Sequence, residues 1–566
     1  MQAWELAAVL GALLAWRARG LATPRWPAME WLLPLLALVL TALPLWLGWR
    51  ELAPEQAPMG PDANAWMGSA LAFETGRWSL YYEDRYPGWP WLVAAVSPDA
   101  LSLPRAGVLL NMGLTMACAP VIYAIGRQLS GRWAGLAGAV VAMRLPVVLD
   151  VGRSFTAYPL TALLDLGLVA ALLGLSRVGA GGRLALAAVV AAAAGLAMAS
   201  DPKQIPFALA ACGGMGLVGL VRGPHWQRVV LPLFALAPLP AAQALVARYQ
   251  LRLLSLEGAT VRTPVNLLDR SLWEHVDSGF ALGNPGALRE LLPSLLRVAE
   301  HVGPKAGGPV DPAFVAGLPM LFPGCSALWL LPLVALPLLL RRRGFDIAIL
   351  AIFALSALSP ARIHYAHRYA LPYAQAAPAL ALSAVELAAG GPAALVVGLA
   401  ALAGPGRHVD RSYLALQSAD SDLWVGEEKP VDARTLSWAA ENLPRDATIY
   451  DFAEMRTTPI LGAAFPYVRC AMSASHCGAE LAADPGVRIA LVRARETLSA
   501  ELPESPREPI LTDAYGRMPK RLSECWTHVY MPGPNTAFYQ WTCEVAPRPW
   551  TDVRQPPRGQ AFTGQP

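Results

Sequence analysis

Carboxylates and aromatic rings are concentrated in the stretch 60–97, which lies between two apolar segments of the chain. Its candidate reactive groups are Asp62, Glu83, Asp84, Tyr82 and Tyr86. Connections between membrane helices are usually short and featureless, so a loop rich in acids and rings at a membrane face indicates binding or catalysis. A carboxylate in such a loop can act as a general base, and the two tyrosines are candidate substrate-binding residues.

Further ionisable side chains lie at the ends of other apolar runs. They are Asp150 and Arg153, Asp201 and Lys203, and Arg362, His364, His367 and Arg368. Such groups are costly to desolvate and therefore pair or line a polar cavity. Guanidinium groups bind phosphate oxygens in a fork geometry, so we expect a cavity that holds an anionic head group beside carboxylates.

Each of these acids also has a plainer interpretation. Asp62 follows Pro61 and precedes a predicted helix over 63–74, where it could serve as an N-cap. Glu83 and Asp84 could be solvated turn residues. Asp150 and Arg153 could be a local ion pair at a helix end.

The basic groups likewise leave alternatives open. Lys203 occupies a common snorkelling position, but a lysine opposite the arginine-rich loops runs against the usual charge bias. His364 and His367 could hold a divalent metal if they lie on a helix, or they are ordinary interfacial histidines. No complete ligand set is visible, so no metal ligand is assigned and no cofactor is certain.

Composition places these groups in a polytopic membrane protein. The chain has 566 residues, of which 55% are hydrophobic and 15% charged, and its mean hydropathy is +0.38. A net charge of +4 is too small at this length to indicate nucleic-acid binding. Eleven spans are predicted, at 31–49, 106–126, 133–149, 156–175, 184–199, 205–221, 229–246, 318–340, 345–358, 370–387 and 392–404.

Arginines predict the sidedness of these spans. Loops with Arg127 and Arg132, with Arg177 and Arg183, and with Arg222 and Arg228 alternate with loops that lack this bias. Because arginine-rich loops stay cytoplasmic, the loops 50–105 and 248–315 and the tail are predicted to be exterior. The resulting domains are an apolar and basic segment 1–30, whose run 3–16 either crosses the membrane or lies on it, a transmembrane domain 31–405 and a tail domain 406–566.

The tail reads as a small α/β domain in an oxidising compartment. It has a helix over 433–442, buried strands at 448–452 and 487–492, and a hairpin with its turn at 532–535. Four of the seven cysteines lie in it, namely Cys470, Cys477, Cys525 and Cys543. Cys525 and Cys543 are equidistant from residue 534, which would place them opposite each other. We predict disulfides Cys525–Cys543 and Cys470–Cys477, with four free cytoplasmic thiols as the alternative.

The order of these features resembles a known family. An outward first span, an acidic first exterior loop and the sequence from Tyr86 to Pro90 are similar to the C-type integral-membrane glycosyltransferases, GT-C. The branch with protein O-mannosyltransferases and bacterial aminoarabinose lipid A transferases is most similar. A lysine after the run that ends at Ser200, and Arg368 before a late span, also match. The resemblance covers about residues 31–390, and it does not extend to the tail.

The resemblance implies transfer of a sugar from a polyprenyl-phosphate donor on the periplasmic side. By position Asp62 would be the acid at the reaction centre, and Lys203 and Arg368 would contact the donor phosphate. The family often has two adjacent acids where this chain has Asp62 and Ala63. The second acid, which is Glu83, Asp84 or Asp150, therefore stays open.

The expected protein is a multi-pass bacterial inner-membrane glycosyltransferase with a periplasmic C-terminal domain. Its partners would be a polyprenyl-phosphate-linked sugar and a lipid, glycan or protein acceptor, without nucleic acid. A transporter or flippase would instead use charged helix ends to line a permeation path, although the chain shows no internal repeat. An envelope assembly protein whose tail binds a partner is the third interpretation.

Overall fold

The computed structural model describes most of the helical part and scattered strands of the tail. In the helical part these residues are 61–76, 85–100, 102–145, 148, 151–152, 154–201, 204–254 and 371–403, with six positions between 32 and 42. In the tail they are 438–439, 441–451, 461, 465–469, 484, 486–493, 510–512, 519–521, 525–533, 536–542 and 551–552.

Eleven helices of eight or more residues run through the described part of the chain. They are α1 (Pro61–Thr75), α2 (Gly88–Val96), α3 (Leu103–Leu129), α4 (Arg132–Met143), α5 (Tyr158–Leu175), α6 (Ala180–Ser200), α7 (Ile205–Arg222), α8 (Gln227–Leu236), α9 (Pro238–Leu254), α10 (Leu371–Ala389) and α11 (Gly391–Ala403). Four stretches are long and apolar enough to cross a membrane, at Arg105–Leu129, Tyr158–Leu175, Ala180–Ser200 and Gln227–Arg248. The chain is thus a helical membrane protein.

The predicted spans that fall in the described part correspond to α3–α11. The six described positions between 32 and 42 are helical, and spans 318–340 and 345–358 lie outside the described residues. The total of eleven membrane spans therefore stays a prediction. The helix predicted over 63–74 is confirmed as α1.

Proline affects two of the predicted spans, and it makes one predicted bound wrong. The span expected over 133–149 ends as a helix at Met143, since Pro146 disfavours helical geometry at the residue before it. The span expected over 229–246 is confirmed as the membrane-length stretch Gln227–Arg248, within which Ala237 separates α8 from α9. Pro238, which begins α9, has no N–H with which to continue the hydrogen bonds of α8.

The arginine-rich loops meet at one end of the helix bundle. Arg177 Nη1 donates to Gln128 Oε1 at 3.0 Å, and Arg222 Nη1 donates to the Ser176 carbonyl at 3.1 Å. The backbone N–H of Ala134 at the start of α4 donates to Glu386 of α10 at 2.7 Å. These contacts confirm that the predicted arginine-rich loops lie together. We call this end of the bundle the arginine end. The opposite end, where the acid-rich stretch 60–97 (the acidic loop) lies, is called the acidic-loop end.

Small residues allow the central helices to approach closely. A Cβ on Gly126 of α3 would lie 2.7 Å from the Gly135 Cα of α4. A Cβ on Gly138 of α4 would lie 2.6 Å from the Ala379 Cα of α10. Close backbone approach of this kind is how helices pack in lipid, where burial of apolar surface between helices gains little.

Strands of the tail form a mixed five-stranded sheet of order β2-β1-β3-β7-β6. Its strands are β1 (Thr448–Asp451), β2 (Tyr467–Arg469), β3 (Arg488–Arg493), β6 (Trp526–Gly533) and β7 (Thr536–Trp541). A smaller antiparallel sheet contains β4 (Ile510–Thr512), β5 (Pro519–Arg521) and β8 (Thr551–Asp552). The two predicted strands and the hairpin are confirmed, and the described positions between 438 and 442 are helical. The bounds of the tail domain and its location stay predictions.

A hydrogen-bonded carboxylate supports the connection into β3. The Tyr450 hydroxyl donates to Asp484 Oδ2 at 2.8 Å, and the Gly486 N–H donates to Asp484 Oδ1 at 2.8 Å. Burial acts to raise the pKa of Asp484, but these hydrogen bonds, one from Thr448 and the charge of Arg488 together hold that pKa below its ordinary value.

The register of the hairpin differs by one residue from the predicted one. Trp526 pairs with Trp541, and two irregularities lie between His528 and Gly533 of β6. These irregularities use extra residues on β6, so Cys525 lies opposite Thr542, whose N–H donates to the Cys525 carbonyl at 2.9 Å. Cys525 is disulfide-bonded. Its partner lies outside the described residues, so both predicted pairings stay predictions.

Candidate active site

Asn111 of α3 links the acidic loop to the segment before α5. Its amide nitrogen donates to the Ser154 carbonyl at 2.6 Å and to the Thr156 carbonyl at 2.7 Å. Its amide oxygen accepts the indole N–H of Trp89 at 3.0 Å. Asn111 is completely buried, so these bonds hold Trp89 and the segment 154–156 at the acidic-loop end in one arrangement.

Aromatic rings pack around this hydrogen-bonded centre. The Trp89 ring meets Phe155 edge-to-face at 4.9 Å between centroids and Trp66 of α1 at 5.6 Å. The Arg85 guanidinium carbon lies 5.1 Å from the centroid of the Trp66 ring. The same apolar cluster includes Ile449 and Phe538 of the tail sheet. The α1 helix and the tail sheet therefore share a core at the acidic-loop end.

The start of α2 rests on the end of α6. A Cβ on Gly88 would lie 2.5 Å from Ser200 Oγ and 3.0 Å from the Ala199 carbonyl oxygen. Ser200 Oγ itself donates to the Leu196 carbonyl at 2.7 Å. Glycine at position 88 thus allows the acidic loop to contact the α6–α7 turn directly.

Two carboxylates lie close together between α5 and this turn. Asp165 of α5 is 1% exposed and Asp201 is 8% exposed. With the Gln204 amide in the orientation that satisfies both groups, its nitrogen donates to the two Asp165 oxygens at 2.7 and 2.9 Å. The Gln204 N–H donates to the Asp201 carbonyl at 3.0 Å, which closes the turn between α6 and α7.

Tyr86 is buried beside this turn. It is 1% exposed, and its hydroxyl has no hydrogen-bond partner among the described residues. Burial raises the pKa of Tyr86 above its ordinary value, and the negative charge of Asp201 raises that pKa further. The hydroxyl is therefore a neutral hydrogen-bond donor at physiological pH, and its donor capacity is unused by the described protein groups.

Of the predicted site residues, two lie in the described part. Asp62 lies in the first turn of α1, which begins at Pro61, where the helix dipole favours a carboxylate. Tyr86 is described above. The others, together with the side chain of Asp62, lie outside the described residues: Tyr82, Glu83, Asp84, Asp150, Arg153, Lys203, Arg362, His364, His367 and Arg368.

The segments that flank several of these residues meet at the acidic-loop end. Ser154 follows Arg153, and Asp201 and Gln204 enclose Lys203 in the sequence. α10 begins three residues after Arg368, and its Gln375 amide contacts Met143 Sδ at 3.8 Å, where α4 ends at the acidic-loop end. The described neighbours of the candidates are thus gathered at one end of the bundle.

Sequence interpretation missed Asp165, Asn111 and Gln204. Asp165 did carry a signal, because it is the single charged residue of the apolar run 158–175 and an ionisable residue inside a span is a functional candidate. Asn111 and Gln204 carry no such signal. Among the described residues there is no cluster of three or more His, Cys, Asp or Glu that could hold a metal ion.

Fold and site together define a class of membrane protein in which a helical bundle supports the acidic loop at one of its ends. No protein-family model matches the chain, and comparison with curated proteins gives no match. Solved structures do match. ArnT from Cupriavidus metallidurans, the aminoarabinose lipid A transferase, aligns in its apo state with a TM-score of 0.53 at 15% identity, over 91% of this chain and 98% of that chain.

A second structure of the same ArnT gives the same alignment. It is bound to undecaprenyl phosphate, and it aligns with a TM-score of 0.52 at 14% identity, again over 91% of this chain and 98% of that chain. The apo oligosaccharyltransferase of Archaeoglobus fulgidus aligns with a TM-score of 0.47 at 14% identity, over 77% of this chain and 64% of that chain. The resemblance to C-type glycosyltransferases is confirmed at the level of the fold.

Proposed function

We propose that the chain is a glycosyltransferase that moves a sugar from a polyprenyl-phosphate donor to a lipid, glycan or protein acceptor. One observation carries the proposal: the acidic loop, the segment 154–156 and the α6–α7 turn meet at one end of a fold that matches ArnT along nearly its whole length. A structure of that ArnT holds undecaprenyl phosphate, which supports a polyprenyl carrier for the donor here.

The proposed reaction is a single displacement at the anomeric carbon. Asp62 takes the proton of the acceptor hydroxyl while its oxygen bonds to that carbon. The bond from the carbon to the phosphate oxygen breaks, and polyprenyl phosphate leaves. Attack from the side opposite the leaving group inverts the configuration of the sugar.

Cations would stabilise the charge that develops on the phosphate. Lys203, Arg362, Arg368 and Arg153 are the proposed ligands of the donor phosphate. The second acid of the site is Glu83, Asp84 or Asp150. Tyr82, Tyr86 and His367 are proposed to bind the substrates, and the unused hydroxyl of Tyr86 supports its assignment.

The proposed setting is the bacterial inner membrane, with the acidic-loop end and residues 406–566 in the periplasm. The arginine-rich loops at the opposite end support this orientation. The apolar cluster that Trp66 shares with Ile449 and Phe538 supports a role of the tail in presenting or selecting the acceptor.

A transfer assay tests the proposal. Membranes with the wild-type chain are given a panel of labelled polyprenyl-phosphate sugars, and Asp62→Asn and Arg368→Ala are compared with wild type. Loss of the general base is expected to reduce kcat by about 10²–10⁴-fold. Loss of one phosphate ligand is expected to reduce kcat/KM by about 10²–10³-fold.

Two exposed residues near the same end provide matched controls. Asp99 Oδ1 accepts the backbone N–H of Ser102 at 2.7 Å before α3, so Asp99→Asn changes an exposed carboxylate beside the start of a helix. Arg105→Ala removes an exposed arginine at the start of α3. Both controls should keep wild-type turnover. Equal turnover by wild type, Asp62→Asn and Arg368→Ala would refute the site, and no turnover with any donor would favour a transporter.

A further inference from the structure

A carboxyl group inside the membrane domain has no role in the reaction proposed above. Asp165 is 1% exposed and lies two turns into α5, in a run that has no other charge. Burial of a carboxyl group costs free energy unless its oxygens are hydrogen-bonded. A buried carboxyl group is therefore expected where its hydrogen bonds fix the position of another segment of the chain.

The described partner of Asp165 is Gln204, the residue immediately before α7. In the amide orientation that satisfies both groups, the Gln204 nitrogen donates to the two Asp165 oxygens at 2.7 and 2.9 Å. The backbone N–H of Gln204 closes the same turn on the Asp201 carbonyl at 3.0 Å. Asp165 therefore fastens one end of the turn to α5, a helix that is otherwise distant from it in sequence.

The turn that Asp165 fastens is in contact with the acidic loop. Ser200, which precedes it, touches the start of α2 at Gly88, and the charge of Asp201 acts on Tyr86. Within the turn, Pro202 and Lys203 are the two residues between Asp201 and Gln204.

We infer that Asp165 is a positioning residue, which acts through Gln204 to hold the α6–α7 turn against the start of α2 at Gly88. The inference rests on the proposed function, which assigns Lys203 of this turn as a donor-phosphate ligand. Asp165 itself contacts neither substrate. Its effect on sugar transfer is transmitted by the hydrogen bonds to Gln204.

Kinetics of paired variants test this coupling. Asp165→Leu and Gln204→Leu each break the contact, and each is expected to raise the donor KM about tenfold, the effect of roughly one charge-assisted hydrogen bond. The double variant should be no worse than either single variant, because both remove the same interaction. Asp165→Asn keeps an oxygen acceptor for Gln204 and should stay within about threefold of wild type.

Thr161 supplies a matched control on the same helix. It is buried, and its hydroxyl donates to the Tyr158 carbonyl at 3.0 Å, within α5 itself. Thr161→Val therefore removes a buried hydrogen bond without affecting the turn. It is expected to lower the melting temperature in detergent but to leave the donor KM unchanged.

A chemical measurement tests the same coupling without catalysis. The chain has four lysines, Lys203, Lys305, Lys429 and Lys520, so acylation of each can be followed by mass spectrometry with the other three as internal references. The relative reactivity of Lys203 should change at least threefold in Asp165→Leu and Gln204→Leu. It should equal that of wild type in Asp165→Asn and Thr161→Val.

The outcomes separate the two proposals. If wild type transfers no sugar but Lys203 reactivity changes as expected, the proposed function fails and the coupling stands. If Asp165→Leu and Gln204→Leu lower only the melting temperature, with KM and Lys203 reactivity as in wild type, Asp165 is a structural residue and the inference is wrong. If Asp165→Leu does not fold, Gln204→Leu and Asp165→Asn still decide the question.

Discussion

The buried hydroxyl of Tyr86 can lower the stability of the fold and, for the same reason, can strengthen the binding of a ligand. Its hydroxyl is desolvated and has no hydrogen-bond partner among the described residues. An unmade hydrogen bond of a buried polar group costs about 1–3 kcal/mol. A ligand that accepts a hydrogen bond from this hydroxyl would recover that free energy on binding.

Tyr86→Phe separates these two effects. The variant removes a hydroxyl that no described residue hydrogen-bonds, so we expect stability in detergent to be unchanged or higher by up to about 1 kcal/mol. If the hydroxyl binds substrate, turnover should fall about tenfold or more at unchanged melting temperature. Unaltered turnover would exclude Tyr86 from the substrate-binding residues.

The raised pKa of Tyr86 also predicts how the thermal stability of Tyr86→Phe and of wild type should differ at alkaline pH. The unfolded chain deprotonates at the ordinary tyrosine pKa near 10, whereas the folded chain deprotonates at a higher pH. The ionisation of Tyr86 therefore leaves the free energy of unfolding unchanged below about pH 10 and decreases it as the pH rises further. Thermal melts between pH 9 and 11 should fall less steeply for Tyr86→Phe than for wild type.

The site residues that can be identified from the sequence differ from the residues whose hydrogen bonds hold the site together. Asp62 and Tyr86 could be chosen from the sequence because acids and rings in an exterior loop are unusual. Asn111 could not be chosen, because one asparagine in an apolar run has no spacing that identifies its partners. Its bonds to Trp89, Ser154 and Thr156 depend on how three segments pack, which hydropathy does not encode.

Among the elements, helices were predicted well because an apolar run and its arginine-flanked ends are local features. The early end of α4 before Pro146 and the separation of α8 from α9 at Pro238 are also local effects, which could have been included. The hairpin register was not predictable, because the irregularities in β6 arise from the fit of that strand to β7. Local rules therefore give the elements, and packing decides their register.

The contact of α2 with α6 gives a prediction at the scale of elements. A Cβ at Gly88 would lie 2.5 Å from Ser200 Oγ and 3.1 Å from Ser200 Cα. Gly88→Ala should therefore move the start of α2 away from the α6–α7 turn, at a cost of about 1–3 kcal/mol. Because this contact aligns the acidic loop with the turn, transfer should be impaired as well as the melting temperature lowered.

Gly113→Ala in α3 is the control for that substitution. A Cβ at Gly113 would lie within 4 Å of no atom in the described part of the chain, and alanine favours a helix over glycine by up to about 1 kcal/mol. The variant should be as stable as wild type or more stable, with full activity. Adding Ser200→Gly to Gly88→Ala removes the nearest contact and should restore part of the loss. Equal behaviour of Gly88→Ala and Gly113→Ala would contradict the proposed contact.

At the scale of the whole molecule, the two ends of the helix bundle differ in the residues and contacts that they contain. Arg177, Arg183 and Arg222 bond to loop carbonyls and side chains at one end, as expected of loops that stay in the cytoplasm. The acidic loop and the tail sheet share an apolar cluster at the other end. The orientation of the chain therefore predicts the redox state of the tail, since disulfides persist in the periplasm and are rare in the cytosol.

Cysteine chemistry can test that orientation. Cys525 is disulfide-bonded, and we predict Cys543 as its partner and a second bond between Cys470 and Cys477. Non-reducing peptide mapping of the protein from native membranes should recover both pairs. In intact cells, a membrane-impermeant thiol reagent should label the tail only after reduction, whereas the buried thiols of Cys118 and Cys212 should react only after denaturation. Labelling of all four tail cysteines without reductant, and only in opened cells, would place the tail in the cytoplasm. It would also place the acidic-loop end on the side opposite to the one that the proposed reaction requires.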